Sequence, residues 1–191
     1  MIEELGEDRV KSILLNFSCP LNGDVEKFLH ESAVAFSKQG LARTYIVTTS
    51  YRNRQEVIGY FTLSIKLLHA SRSKLSKTWQ KRMTKFGMYD SDLKKYSVPA
   101  PLIGQLSKNF SNGFNKLISG DELLKIAFDN ISIIQMMIGG RMVFLECQND
   151  EKLIEFYKRN GFIAFGERLL DPDEMDLIPG EFLIQMVKYL K

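Results

Sequence analysis

The sequence predicts a mixed α/β fold in which a mixed, mostly antiparallel sheet is flanked by helices. Three observations predict it. Two β-rich runs, "ARTYIVTTSY" and "EVIGYFTLSIK", follow one another across "RNRQ", the arrangement of an antiparallel hairpin. Further along, strand-like and helix-like runs alternate, as they do where crossover helices pack on a sheet. Finally, 45% hydrophobic residues in a chain of 191 are enough for one sizeable core. The expectation is a single domain over residues 1–191, with no internal repeat and no low-complexity tract.

The elements are justified in turn. "DVEKFLHESAVAFSK", Asp24 to Lys38, sets Val25, Phe28, Leu29, Ser32, Ala33 and Phe36 on one side at helical spacing, with Asn22 or Asp24 as cap and Gly40 as the stop. After the hairpin, Lys66 to Ser97 changes character, carrying nine Lys or Arg against Asp90 and Asp92. Leu67, Leu68, Leu75, Trp79 and Met83 supply apolar positions for one or two helices, a basic helical insertion over about residues 67–97 between the hairpin and the central strand. In "SVPAPLIGQLSKN", Pro99 and Pro101 suit the beginning or the free edge of a strand, and Leu102, Ile103 and Leu106 carry it inward. Glu122 to Ile138 is a helix whose stripe is Leu123, Leu124, Ala127, Ile131 and Ile134, closed by the left-handed pair Gly139-Gly140. "RMVFLEC" is short, continuous and apolar, a strand buried on both faces. "NDEKLIEFYKRN" is a short amphipathic helix, and "GFIAFGERLL" and "EFLIQMVKYL" are strands joined by "DPDEMDLIPG".

Composition narrows the functional classes. Cys19 and Cys147 are too few and too separated for a disulfide framework or a zinc site, and the histidines are only His30 and His69, both expected as ordinary helix residues, so no protein-held metal is expected. A net charge of +3 does not announce a nucleic-acid protein. The acidic, polar start and the lack of an 18-residue apolar run point to a cytoplasmic protein without a membrane span.

"NKLISGDELL" runs into a helix, where unpaired amides and the helix dipole favour an anion. Amides from Lys116 to Asp121 are placed to converge on a pyrophosphate, Gly120 allows close approach, and Lys116 adds charge. Ser119 or Asp121 as a simple helix cap accounts for the same letters. The order of strand "PLIGQL", this loop and its helix, strand "RMVFLEC" and then "EKLIEFYKRNGFIAF", with Tyr157 and Phe162 on a helix entering a strand, resembles the GNAT superfamily of acyl-CoA-dependent N-acetyltransferases. The resemblance spans Val98 to Phe165, and more loosely the helix and hairpin of Asp24 to Lys66.

That resemblance implies a set of roles. Leu106, Ser107 and Lys108 would pair with the pantetheine arm of acetyl-CoA, and Asn115, Lys116, Leu117, Ile118, Ser119, Gly120 and Asp121 would seat its diphosphate. Asn115 stands where the family has Arg or Gln, and Ile118 stands at its first glycine. Tyr157 would protonate the leaving thiolate, a phenol and an alkyl thiol being of similar basicity. Glu146 is the best-placed carboxylate for a general base, with ion pairing as the alternative. Asn149 and Asp150 lie where an asparagine touches the cofactor arm, and Asp150 also suits a helix cap. Cys147 reads as a small apolar residue rather than a nucleophile. The acceptor is an amine. The basic segment with Trp79, Phe86 and Tyr89 would meet RNA phosphates and stack on bases if that amine belongs to aminoacyl-tRNA, as in some GNAT-type toxins, and is otherwise a solvated face. A homodimer and a non-catalytic binding module of the same fold both stay open.

Overall fold

The computed structural model describes residues 6–172 and 180–190. Strand order in the sheet is β1-β2-β4-β5-β7-β6, with β3 on β4. The strands are β1 (Arg43–Tyr51), β2 (Arg54–Ser71), β3 (Met88–Asp90), β4 (Lys95–Lys108), β5 (Met142–Gln148), β6 (Ile163–Leu169) and β7 (Phe182–Tyr189). The β4–β5 register is parallel, and β1–β2, β3–β4, β5–β7 and β6–β7 are antiparallel. Much of "DPDEMDLIPG", between β6 and β7, lies outside the described residues.

By contact density the chain falls into two compact units, one of residues up to 64 together with 104–129, the other of 65–103 together with the chain from 130 onward. In the first, α1 (Glu7–Leu14), which the sequence reading left out, buries Val10 and Leu14. The expected helix near Asp24 is three pieces: α2 (Gly23–Lys27), a π-helical turn (Phe28–Ser32) and α3 (Ala33–Gln39). Asn22 caps α2 by accepting from the Asp24 and Val25 amides, and Gly40 ends α3 at φ 72°, a conformation glycine adopts without strain. Val10, Leu14, Phe17, Leu29 and Tyr60 form the core of this unit, and the Tyr60 hydroxyl donates to the Val25 carbonyl at 2.5 Å. The hairpin turn is Arg52 and Asn53 alone, both at positive φ, so "RNRQ" shrinks to the two residues that a strand-matched turn requires.

In the second unit, the expected helical insertion over 67–97 is corrected. β2 continues to Ser71, and after a 3-10 turn (Arg72–Lys74) the one helix there is α4 (Lys77–Phe86), capped by Ser76. Leu68 and Ala70 are buried while Leu67 and His69 are exposed, a period of two that places them, and His69 with them, in a strand. Leu75, just before α4, together with Trp79 and Met83 of α4, covers Leu68, Ala70, Val98 and Ala100 on one sheet face. Burying a side chain such as Met83, fully enclosed, is worth roughly 1.5–3 kcal/mol. Pro99 and Pro101 fall between two ladders on the same strand, since β3 pairs with Lys95, Tyr96 and Ser97 and the β5 register starts at Leu102, so their missing N–H groups interrupt neither.

The rest follows the sequence closely. α5 (Gly120–Ile138) buries Leu123, Leu124, Ala127 and Ile131, and Gly139 and Gly140 follow at φ 81° and 91°. β5 is buried along most of its length, and α6 (Glu151–Arg159) enters β6 through Gly161, at φ 85°.

Candidate functional site

In the first unit, the segment before α5 is a 3-10 turn (Ser111–Lys116) followed by a capping box. The Ser119 hydroxyl accepts from the Glu122 amide at 3.1 Å, and the Glu122 carboxylate accepts from the Ser119 amide at 2.8 Å and from its hydroxyl at 2.7 Å. These bonds, the amide first, hold the Glu122 carboxyl below its ordinary pKa. The loop thus stabilises an anion, and the one seated there is the chain's own carboxylate. The Leu117 amide is used by the Phe114 carbonyl, while among the described residues the amides of Ile118 and Gly120 have no protein acceptor. Ile118 is itself buried at 7% exposure, so its side chain does not stand out in solvent. Asn115 and Lys116 lie at the end of the 3-10 turn, where Lys108 Nζ donates to the Asn115 carbonyl at 3.0 Å and ties the end of β4 to the loop. Lys116 is exposed, and Asp121 is the second residue of α5.

Leu106, Ser107 and Lys108 form the end of β4, as expected. The parallel register with β5 is confined to Leu102↔Phe144 and Ile103↔Leu145, so these three residues come after that ladder has ended. Ser107 is buried with Oγ 3.0 Å from the Lys108 carbonyl oxygen and 3.2 Å from Cys19 Sγ. Gly59 lies so near that an added Cβ would stand 3.0 Å from the Ser107 carbonyl oxygen. The sequence reading missed Asn109, 1% exposed, whose carboxamide donates to the Val57 carbonyl at 2.8 Å and accepts from the Ser18 and Ser111 amides at 3.1 and 3.0 Å. It holds the β4 end and the following turn in one network. A lone asparagine after a strand carried no signal of this.

In the second unit, Tyr157 on α6 is 6% exposed, with edge-on ring contacts to Phe156 and Phe162 at centroid distances of 4.9 and 5.6 Å. Among the described residues no hydrogen bond engages its hydroxyl. Burial first, and the nearby Cys147 second, push its pKa well above the ordinary phenol value, so the proton stays on. Cys147 is likewise pushed up to about 12, by burial and then by Asp150, which fits an inert thiol. Asp150 caps α6 by accepting from the Leu153 amide at 2.8 Å. Glu146, the base candidate, has both carboxylate oxygens engaged, one by Arg168 Nε at 2.6 Å and the other by Gln185 Nε2 at 2.8 Å. The ion-pair alternative describes this residue.

α4 shows an exposed row of Lys77, Lys81 and Lys85 at four-residue spacing. The stacking role expected of Trp79 is corrected. Its ring is 8% exposed and packs edge-on against Tyr189, with the Arg82 guanidinium 5.0 Å from its centroid. Phe86 is partly buried against the same cluster, and Tyr89 at 36% exposure has Arg72 over its ring.

Searched by sequence, the chain matches no family model and no curated protein. Solved structures do match it. A structure of AtaT complexed with acetyl-methionyl-tRNAfMet aligns with a TM-score of 0.60 at 24% identity, over 90% of this chain and 85% of that one. A tyrosine-to-phenylalanine variant of KacT gives 0.62 at 21%, over 93% and 89%. The chain has the GNAT fold. A third structure, AtaTR bound with acetyl-CoA, gives 0.55 at 23% identity, over 90% of this chain and 84% of that one. Leu106 to Lys108 end β4, residues 115–119 lead into α5, and Tyr157 lies on α6.

Proposed function

We propose that the protein is an N-acetyltransferase that moves an acetyl group from acetyl-CoA to a primary amine by direct attack, and that the amine is the α-amino group of an aminoacyl-tRNA. The observation that carries this reading is the likeness over nine-tenths of the chain to AtaT in complex with acetyl-methionyl-tRNAfMet. It is joined by a loop that already favours a bound anion and by a buried tyrosine with a retained proton.

In this reading the peptide groups of Leu106, Ser107 and Lys108 pair with the pantetheine arm. The amides of Ile118, Ser119 and Gly120 receive the diphosphate, with the Glu122 carboxylate giving up the Ser119 amide. The neutral amine adds to the thioester carbonyl carbon, the carbon–sulfur bond breaks, and the departing thiolate takes the phenolic proton of Tyr157. Since Arg168 and Gln185 occupy Glu146, water carries off the proton lost by the attacking amine. The lysine row of α4 contacts RNA phosphates, each contact favoured by release of condensed counterions. Base stacking by Trp79 plays no part.

The test is thiol release from acetyl-CoA with aminoacyl-tRNA, free amino acids and simple amines offered in parallel. Turnover with aminoacyl-tRNA is expected, and the triple change Lys77→Glu, Lys81→Glu, Lys85→Glu should abolish it while leaving acetyl-CoA binding intact. Unchanged transfer by that variant removes the RNA acceptor. Acetyl-CoA binding without turnover on any amine would instead identify a binding module of the same fold.

A further inference from the structure

Within the second unit, one face of β5 changes character at Glu146. Met142 and Phe144 are buried in the cluster under α4, and the next positions on that face are polar, Glu146 and then Gln148. Cross-strand pairing sets Gly166, Gln185 and Glu146 in one row over β6, β7 and β5, and Arg168, Leu183 and Gln148 in the row beyond it. The first row is satisfied. Glu146 accepts from Gln185 Nε2 at 2.8 Å and from Arg168 Nε at 2.6 Å, and a Cβ at Gly166 would stand 2.7 Å from Gln185 Oε1, so the glycine leaves room for that carboxamide. The second row is not. Gln148 Nε2 is buried and among the described residues has no hydrogen-bond partner; the residue directly opposite, Leu183, is itself buried and has no side-chain acceptor to offer.

We propose that Gln148 is a specificity residue for the acceptor, its buried amide donating to the ester carbonyl oxygen of the aminoacyl group beside the α-amine that is acetylated. This rests on the aminoacyl-tRNA reading above and names what selects that amine. The first argument is the unmade bond. A buried donor without an acceptor is a standing penalty in the free protein, and a substrate oxygen placed against it removes that penalty on binding. The second is chemical match. An aminoacyl ester carries an acceptor oxygen close to its amine, and the amine is partly protonated near neutral pH. Gln148 supplies the donor without adding a charge that would repel the amine. Glu146, on the same face, has one bond to each oxygen, which leaves about two of its roughly four acceptor positions to attract the incoming ammonium. The third is position. Cys147, between these two residues, points to the other side of β5, the side of Tyr157, and β5 has no β4 ladder beyond Leu145. The strand end is therefore open along that edge, where an amine held by Gln148 meets a thioester whose sulfur lies towards Tyr157. An amine with no neighbouring carbonyl leaves the Gln148 donor unpaired and is discriminated against for that reason.

The experiment compares the full wild-type chain with Gln148→Met, which keeps the length of the side chain and removes the donor, and with Gln148→Leu as a second apolar replacement. Three quantities are read: kcat/KM for acetyl transfer to total tRNA charged with amino acids, acetyl-CoA affinity by calorimetry, and the melting temperature. Both variants should lose about tenfold in kcat/KM, the worth of one neutral hydrogen bond, with acetyl-CoA affinity unchanged and a melting temperature equal to or above that of wild type, because an unpaired donor has been removed. A structural glutamine would behave the other way, so a lowered melting temperature in both variants overturns the proposal. Unchanged kcat/KM in the variants also overturns it and leaves the aminoacyl-tRNA reading standing. Wild type that transfers no acetyl group to charged tRNA removes that reading and the proposal with it.

Discussion

Two buried tyrosines of this chain make a controlled pair, because one hydroxyl has a structural partner and the other does not. Tyr60 is 0% exposed and donates to the Val25 carbonyl; Tyr157 is 6% exposed with no hydroxyl partner among the described residues. Tyr60→Phe leaves that carbonyl buried and unpaired, which costs roughly 1–3 kcal/mol of stability. Tyr157→Phe keeps the ring contacts with Phe156 and Phe162 and loses no bond, so stability should change by less than about 0.5 kcal/mol. If the Tyr157 proton goes to the thiolate, the same change should lower turnover by about 10²-fold or more, equivalent to about 2.7 kcal/mol in the barrier. The assay pairs thermal melts with thiol release from acetyl-CoA. Turnover reduced less than threefold, or reduced only in step with a lost melting temperature, refutes the assignment. The pH profile adds an independent check. The acid form is the donor, and burial raises the Tyr157 pKa, which extends the range of the acid form upward. The rate should therefore climb as the amine deprotonates and show no falling limb up to about pH 10, the ordinary phenol value. A falling limb near pH 8 contradicts this.

Two further predictions concern the scaffold. Asn109→Ala strips acceptors from the Ser18 and Ser111 amides and a donor from the Val57 carbonyl, all at a buried position, and should cost about 3 kcal/mol or more in denaturant unfolding; a loss under 1 kcal/mol would mean the network relaxes. Gly87→Ala introduces a Cβ 2.3 Å from the Ser97 carbonyl oxygen and 2.6 Å from Val98 Cγ2, a clash with backbone that should destabilise by about 1–3 kcal/mol, read as a lowered melting temperature.

Sequence patterning served best where one period was unambiguous. β5 with its continuous apolar run, α5 with its stripe, and Tyr157 on an amphipathic helix stand where the letters put them. It failed where short apolar pairs served two periods. Leu67 and Leu68 fit a helix as readily as a strand, and only burial of Leu68 and Ala70 decides for the strand. Composition alone allows Trp79 as a stacking surface, because it cannot show which side of α4 faces the sheet. In "SGDE" the letters for a capping box and for an anion loop coincide, and the bonds formed within the chain are those of the capping box between Ser119 and Glu122. Asn109 and the pairing of Glu146 with Arg168 are long-range contacts, invisible to local spacing.

The measurement that bears most directly on the account is a calorimetric titration of the full chain with acetyl-CoA beside one with acetyl-pantetheine, which has the same thioester but no diphosphate. Loop amides that grip the diphosphate predict saturable binding of acetyl-CoA at least 100-fold tighter than of acetyl-pantetheine. Equal affinity for the two, or no heat with acetyl-CoA at all, contradicts it.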